Sequence, residues 1–496
     1  MKRILTIGHV ALCLLLISCE EEFLHKTDPT QIGAGSFYQD RTQVEQALNG
    51  VYGQLQGIVS GQWVFNELPS DNTTVHYNPD DRGQGPAREA FEFMTVNSGT
   101  GNIEGLYNSY YNAIFNINNT LARLQDAPID EAVIGPIEGQ LKFIRAYYYF
   151  NLVQYFGDVV IITEPLDKPS AAWAYLREPQ AKVYELVESD LKDAATLLPE
   201  RYDAANAGRA TKGAALALLG KVYLTKKQYA DAVTTLNQVL PLGYALLPSY
   251  ADVFDPQNKN HAETIFDIQF QGGNDLQEHS NFIYEFAPRL SAGAVTGFPD
   301  SRPGGWNTPT KDMIAAFEEG DLRKDVSLQE GYTNESGEWV PVPYINKYNH
   351  PHTISGRTDD NWPVIRYSDV LLMLAEAQAQ QGNTAEAATY LNMVRNRAGL
   401  PDYSGSDLLG AIYHERRVEL AFENHRWFDL KRTMTPEEMA QFLSAYTARE
   451  KADPTVGRGG IPYANNDYIF EPYEALYPIP NRQILINGKL TQNPGY

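Results

Sequence analysis

Thr211-Lys-Gly-Ala-Ala-Leu-Ala-Leu-Leu-Gly-Lys-Val-Tyr-Leu224 is followed closely by Tyr229-Ala-Asp-Ala-Val-Thr-Thr-Leu-Asn-Gln-Val-Leu240. Both stretches carry helical periodicity, and no proline interrupts either one. In the first, Leu219-Gly220 precedes Tyr223. In the second, Ala232, Leu236 and Val239 share one face. Ala232 lies twelve residues after Gly220, and Leu236 four further on. Small residues let two antiparallel helices approach, and the large ones fill the groove between them. The stretch therefore predicts a helical hairpin over 211–240.

The pattern returns 155 positions later. Leu374-Ala375 takes the place of Leu219-Gly220, and Ala387, Leu391 and Val394 take the places of Ala232, Leu236 and Val239. Gln378 stands where Tyr223 would be, so the copy is degenerate. The spacing is that of a tetratricopeptide repeat. Hairpins of this kind stack into a superhelix, so the fold class is mainly α with tetratricopeptide-like pairs. Further helices are expected at Asp40–Leu55, Ile103–Gln125, Pro136–Phe156, Pro179–Leu198 and Pro436–Arg449. The region 66–101 reads as loop with at most short strands. Between the repeats, about 243–362, the helical rhythm breaks. Glu263–Phe270 alternates like a strand, 291–309 is rich in Gly and Pro, and 339–348 is a short apolar run. This is a loop-rich insertion on a helical frame, within one domain over 37–496.

Composition narrows the function. The chain has 496 residues, 43% hydrophobic content and a formal charge of −22. So acidic a chain offers no basic footprint for nucleic acid. Its 31 Tyr, 20 Phe and 6 Trp suit both aromatic packing and a surface that stacks on sugar rings. The N-terminus reads Met-Lys-Arg, then a largely apolar run of roughly 14 residues, too short to span ~30 Å of hydrocarbon. Residues 1–18 are therefore a signal peptide, ending at Ser18 before Cys19, and residues 19–36 a tether. Cleavage would remove Lys2 and Arg3, taking the charge from −22 to −24. It would also leave Cys19 as the only cysteine, with no disulfide possible.

Catalytic and metal signals are missing. No G-x-S-x-G, phosphate loop or ligand-spaced metal cluster occurs. His414-Glu415 lacks the second histidine of a zinc helix, because Val418 stands there. The charged block Glu415–Arg432 reads as a structural ion-pair network along a helix, and Arg145, Arg366 and Arg395, set in apolar helices, read as paired. Tyr147, Tyr148 and Tyr149 cannot share one helical face, so some are expected to face a neighbouring helix and some solvent. Recognition should instead lie in loops. Two qualify: Trp63–Phe93, with Trp63, Asp71, Asn72, Tyr77 and Arg82, and Phe282–Trp306, with Tyr284, Arg289, Phe298 and Trp306. Trp362 precedes a helix nearby. Gly304-Gly305-Trp306 also has the look of a framework feature.

Six blocks carry a resemblance: 143–158 (FIRAYYYFNLVQYFGD), 211–224, 364–376 (VIRYSDVLLMLAE), 391–400 (LNMVRNRAGL), 415–432 (ERRVELAFENHRWFDLKR), and 476–480 (LYPIP) with the ending LTQNPGY. In this order they resemble SusD/RagB-like outer-membrane lipoproteins over essentially the whole chain. Leu16-Ile17-Ser18-Cys19 resembles a lipobox, which implies acylation of Cys19. Glu20, Glu21 and Glu22 resemble the surface-export signal of Bacteroidetes lipoproteins, which implies outer-membrane anchoring facing the exterior. The resemblance further implies a right-handed superhelix, capture of glycans or other oligomeric nutrients, and delivery to a TonB-dependent SusC-like channel. It implies no cofactor and no catalysis. It also implies that aromatics of the early loop and the mid-chain insertion form a shallow sugar-binding platform. Two other readings stand beside it: a tetratricopeptide scaffold without small ligand, which would not need the Gly/Pro/aromatic insertion, and a secreted glycoside hydrolase, for which no carboxylate pair can be chosen.

Overall fold

The computed structural model describes residues 38–496, apart from 78, 80–84, 167 and 275. The leader, Cys19 and the tether lie outside the described residues. Twelve helices of eight residues or more are described: α1 Arg41–Asn66, α2 Gly85–Glu92, α3 Gly101–Leu124, α4 Glu131–Phe156, α5 Gln180–Leu197, α6 Lys212–Thr225, α7 Tyr229–Leu236, α8 Tyr367–Gln380, α9 Thr384–Arg397, α10 Leu408–Glu419, α11 Arg426–Thr433 and α12 Pro436–Ala452. Side-chain caps start several of them. Asp40 accepts from the Gln43 N–H, Asp130 from Ala132 and Thr211 from Ala214, each satisfying a donor the helix cannot. Thr435 and Glu438 form a reciprocal capping box.

The helices stack as neighbours. α1 packs on α3, α3 on α4, α4 on α5, α5 on α6, α6 on α7, α7 on α8, and α8 on α9 and α10. The two predicted hairpins are α6–α7 and α8–α9, joined directly through α7 and α8. Ala232, Leu236, Ala375, Ala387, Leu391 and Val394 are all fully buried. A Cβ built on Gly220 would stand 2.3 Å from Leu236 Cδ2. The small residue is therefore what lets α6 and α7 close. Gly220→Ala should cost about 1–2 kcal/mol by overpacking, seen as a lower urea midpoint at unchanged slope. An unaltered midpoint would mean that Leu236 moves aside freely.

Several elements depart from the sequence expectation. α1 runs eleven residues beyond Leu55, because Ile58, Val59, Gln62 and Trp63 continue its buried face; Gly57 and Gly61, poor helix formers, mask that continuation. The loop 66–101 holds α2. Tyr147, Tyr148 and Tyr149 are all buried, since α4 touches α1, α3, α5 and α6 and has almost no solvent face. Within the insertion, Thr264–Ile268 is a strand, as its alternation suggests. It pairs antiparallel with Trp362–Arg366, Trp362 opposite Ile268, so the insertion's beginning is pinned to its end.

The charged block is not one helix. It breaks between α10 and α11, where Phe422 and Asn424 take positive φ of 65° and 67°. Its charges mostly pair across the fold rather than along a helix. Arg366 binds Glu263, Glu419 and Glu423. Arg323 binds Asp321, Glu415 and Glu419, and Arg397 binds Glu263 and Glu419. Arg395 pairs with Glu318 and Glu415, and Arg145 with Asp190. The structural reading of these residues stands, with different partners from those that helical spacing suggests.

Candidate functional site

The early loop and the mid-chain insertion meet on one face. Thr73 and Thr74 pair antiparallel with Pro309 and Thr308. The His76 N–H donates to the Gly305 carbonyl at 2.8 Å. Gly304, Gly305 and Trp306 donate in turn to the carbonyls of Tyr284, Ala287 and Glu285. Gly305 has φ +62°, and a Cβ there would lie 2.9 Å from His76 Cβ and 3.2 Å from the Arg289 nitrogen. Glycine is required by both conformation and crowding. At Gly304 a Cβ would strike the Trp306 ring. The Gly-Gly-Trp motif is thus framework, and it joins the two loops that the sequence marks for recognition.

Many of the marked side chains face inward. Trp63 is 1% exposed, set edge-on to Phe286 at 5.4 Å, and its indole N–H donates to the Ser60 carbonyl. Trp306 is also buried, covered by the Arg88 guanidinium at 4.7 Å, which itself pairs with Glu285. Trp362 stacks on Tyr348 at 5.2 Å and 8°. Asp71 is buried between Arg417 and Arg426, and Asn72 accepts from Arg417 Nε. Ligand contact by Trp63, Asp71, Asn72, Trp306 and Trp362 is therefore corrected: large apolar rings and a doubly paired carboxylate hold the loops from beneath. Burial alone would push the Asp71 carboxyl up, but Arg417 and Arg426 hold it down at about 2. Arg82 lies outside the described residues. Tyr77, Tyr284 and Arg289 remain half-buried at the surface.

Around them the fold gathers residues that the sequence did not mark. Arg458 lies 4.3 Å from the Tyr463 ring, 4.7 Å from Phe93 and 5.6 Å from Tyr77. Tyr284 and His352 share a hydrogen bond of 2.7 Å, and the His352 ring lies 4.9 Å from that of Phe298. His352 Nδ1 is 2.9 Å from the His350 carbonyl. A carbonyl only accepts, so Nδ1 donates, and Nε2 is the atom that shares the hydrogen bond with the Tyr284 hydroxyl. Burial, then Arg289, push His76 down to about 4, so His76 is neutral at pH 7. Burial likewise pushes Tyr463 up to about 12. The face thus presents half-buried rings, phenol oxygens and cations, which suits stacking on a ring and bonding its hydroxyls. Gly457-Arg458-Gly459-Gly460 was the only local signal for the C-terminal contribution. Among the described residues no cluster of three or more His, Cys, Asp and Glu could hold a metal, and no helix is long and apolar enough to cross a membrane.

Comparison with known proteins bears on this arrangement. Residues 318–496 match the sequence profile of the SusD family, and residues 22–224 match one described as starch-binding associating with outer membrane. Two SusD-like proteins of Formosa agariphila are 29% and 26% identical, each aligned over 99% of both chains. The chain belongs to the SusD/RagB-like family. Among solved structures, a laminarin binding SusD-like protein is 29% identical over 92% of this chain and 99% of its own, with a TM-score of 0.74. A SusD superfamily protein of Bacteroides vulgatus, 24% identical over 93% of this chain and all of its own, shares the fold with a TM-score of 0.75. The helical, tetratricopeptide-like architecture is that of SusD-like proteins.

Proposed function

We propose that this SusD-like chain is a non-catalytic glycan-binding lipoprotein. It is anchored through Cys19 to the outer membrane, faces the exterior, and passes its ligand to a TonB-dependent SusC-like channel. The observation that carries the binding reading is a pair of half-buried aromatic groups, Tyr77 with Tyr463 and Tyr284 with Phe298 and His352, on the early loop and the insertion that the His76–Gly305 bond joins. Aromatic faces stack on the apolar faces of pyranoses, and phenol hydroxyls can exchange hydrogen bonds with sugar hydroxyls. The 29% identity to a laminarin binding relative supports it. The leader, with Ser18-Cys19 and the glutamates behind it, supports the anchor.

Acids near the face support a binding role rather than hydrolysis. Glu285 is tied to Arg88 and Asp360 to His350. Glu92, pushed up to about 8 by burial, turns its oxygens to Thr74, Tyr468 and the Val75 N–H. None of the three is presented as an acid and base pair flanking a sugar.

Glycan-array screening followed by calorimetry tests the reading. Tyr77→Ala and Tyr284→Ala should each weaken glycan binding by about 1 kcal/mol, roughly fivefold, with the melting temperature unchanged. A lowered melting temperature with full affinity would assign both rings to packing. Silence across plant, algal, fungal and host glycans would defeat the proposal.

A further inference from the structure

Arg458 stands out in a chain of formal charge −22. Its guanidinium lies against three aromatic rings, yet among the described residues no carboxylate pairs with it. Nε and Nη1 are buried with no acceptor among the described residues, the Tyr463 phenol is within hydrogen-bonding reach of the guanidinium, and the side chain as a whole is half-buried. Buried donors of this kind are normally satisfied by a protein group, an ordered water or a bound ligand. The acids around it are spoken for. Glu92 serves Thr74 and Tyr468, Glu450 takes the Thr455 N–H and hydroxyl, and the Asp467 carboxylate takes the Ala464 N–H. Arg302, in the loop just before Gly304-Gly305, is exposed, and its only contact is the neighbouring Ser301 carbonyl. Among the described residues, then, two arginines have no counter-ion: Arg458, beside the Tyr77 and Tyr463 rings, and Arg302, on the loop that leads into Gly304-Gly305.

We infer that the ligand is an acidic glycan, whose carboxylate or sulfate docks on Arg458 while Tyr77 and Tyr463 take the flanking sugar ring. The inference rests on the glycan-binding reading and names its ligand class. Guanidinium geometry matches either oxyanion, and pairing adds charge-assisted hydrogen bonds to a cation already held in place by its aromatic neighbours. The overall negative charge does not oppose this at physiological salt. Charges more than about 8 Å away are largely screened, so the local arginines decide.

The test uses protein purified from cells and paired polysaccharides: polygalacturonate against its methyl ester, and a sulfated galactan against agarose, with laminarin as a neutral reference. Affinity electrophoresis and calorimetry should show at least one acidic member bound about tenfold more tightly than its neutral partner. Which pair responds tells carboxylate from sulfate. Arg458→Gln should remove that preference, and rising salt should weaken the acidic polymer only. Arg302→Gln, at an exposed position that leaves folding untouched, should reduce the preference by a smaller factor. Equal binding within both pairs, or an acid preference that survives both substitutions, overturns the inference and leaves glycan binding standing. Failure to bind any polymer, neutral or acidic, defeats the glycan reading itself.

Discussion

Replacing Arg366 by leucine is expected to cost about 3–5 kcal/mol of folding stability, the penalty for stripping one partner from a buried ion pair. The guanidinium is 2% exposed. Nη1 donates to Glu263, Glu419 and the Ser368 hydroxyl, Nε to Glu423, and Nη2 to Glu423 and the Glu419 carbonyl. Burial alone would push Glu419 up, but Arg397, Arg366 and Arg323 hold it well below the usual carboxylate range. Leucine would leave Glu263, Glu419 and Glu423 sharing Arg323, Arg397 and Lys347 in a buried site. Urea unfolding at pH 7 should show the loss as a lower midpoint. Adding Glu423→Gln should recover part of it by removing one uncompensated charge. A loss below about 1 kcal/mol would mean that solvent reaches the cluster and screens it.

Asp71→Asn should be the next most damaging change, and its cost should depend on pH. A carboxyl that titrates near 3.8 in the unfolded chain and is held at about 2 in the fold contributes about 2–3 kcal/mol at neutral pH. The folded value is depressed, so the contribution is fully present above pH about 4. It disappears as pH falls through about 2, where both states are protonated. Wild type and variant should therefore differ at pH 7, converge between pH 4 and 2, and coincide at the bottom of that window. Urea midpoints at four pH values would decide. A gap that stays constant with pH would trace the loss to hydrogen-bond geometry at Arg417 and Arg426 instead of charge.

The frame was legible because its signals are local. Helical periodicity and the register of small and large residues around Gly220 and Ala375 found both hairpins, and alternation found the strand near Phe266. Contacts between distant segments were not legible. Spacing suggested that Glu415, Glu419 and Glu423 pair along a helix, whereas their partners Arg323, Lys347 and Arg366 come from the insertion and the strand that closes it. The candidate face failed in the same way. The sequence marked two loops that meet around Gly305, but a tryptophan expected in a loop reads the same whether it faces out or, like Trp63 at the end of α1 and Trp362 at the start of a strand, packs inward. Arg458 and His352 reach the face from segments that carry no pattern of their own.

The span of the ion pairs also sets when the molecule can finish folding. Asp71 waits for Arg417 and Arg426, some 350 positions later, and Asn66 for Asn424. A chain emerging amino end first cannot close its first loop until nearly all of it has been made. Loops that long are slow to close. Until they do, the end of α1 and the loop after it lack these partners, which arrive only with the final hundred residues.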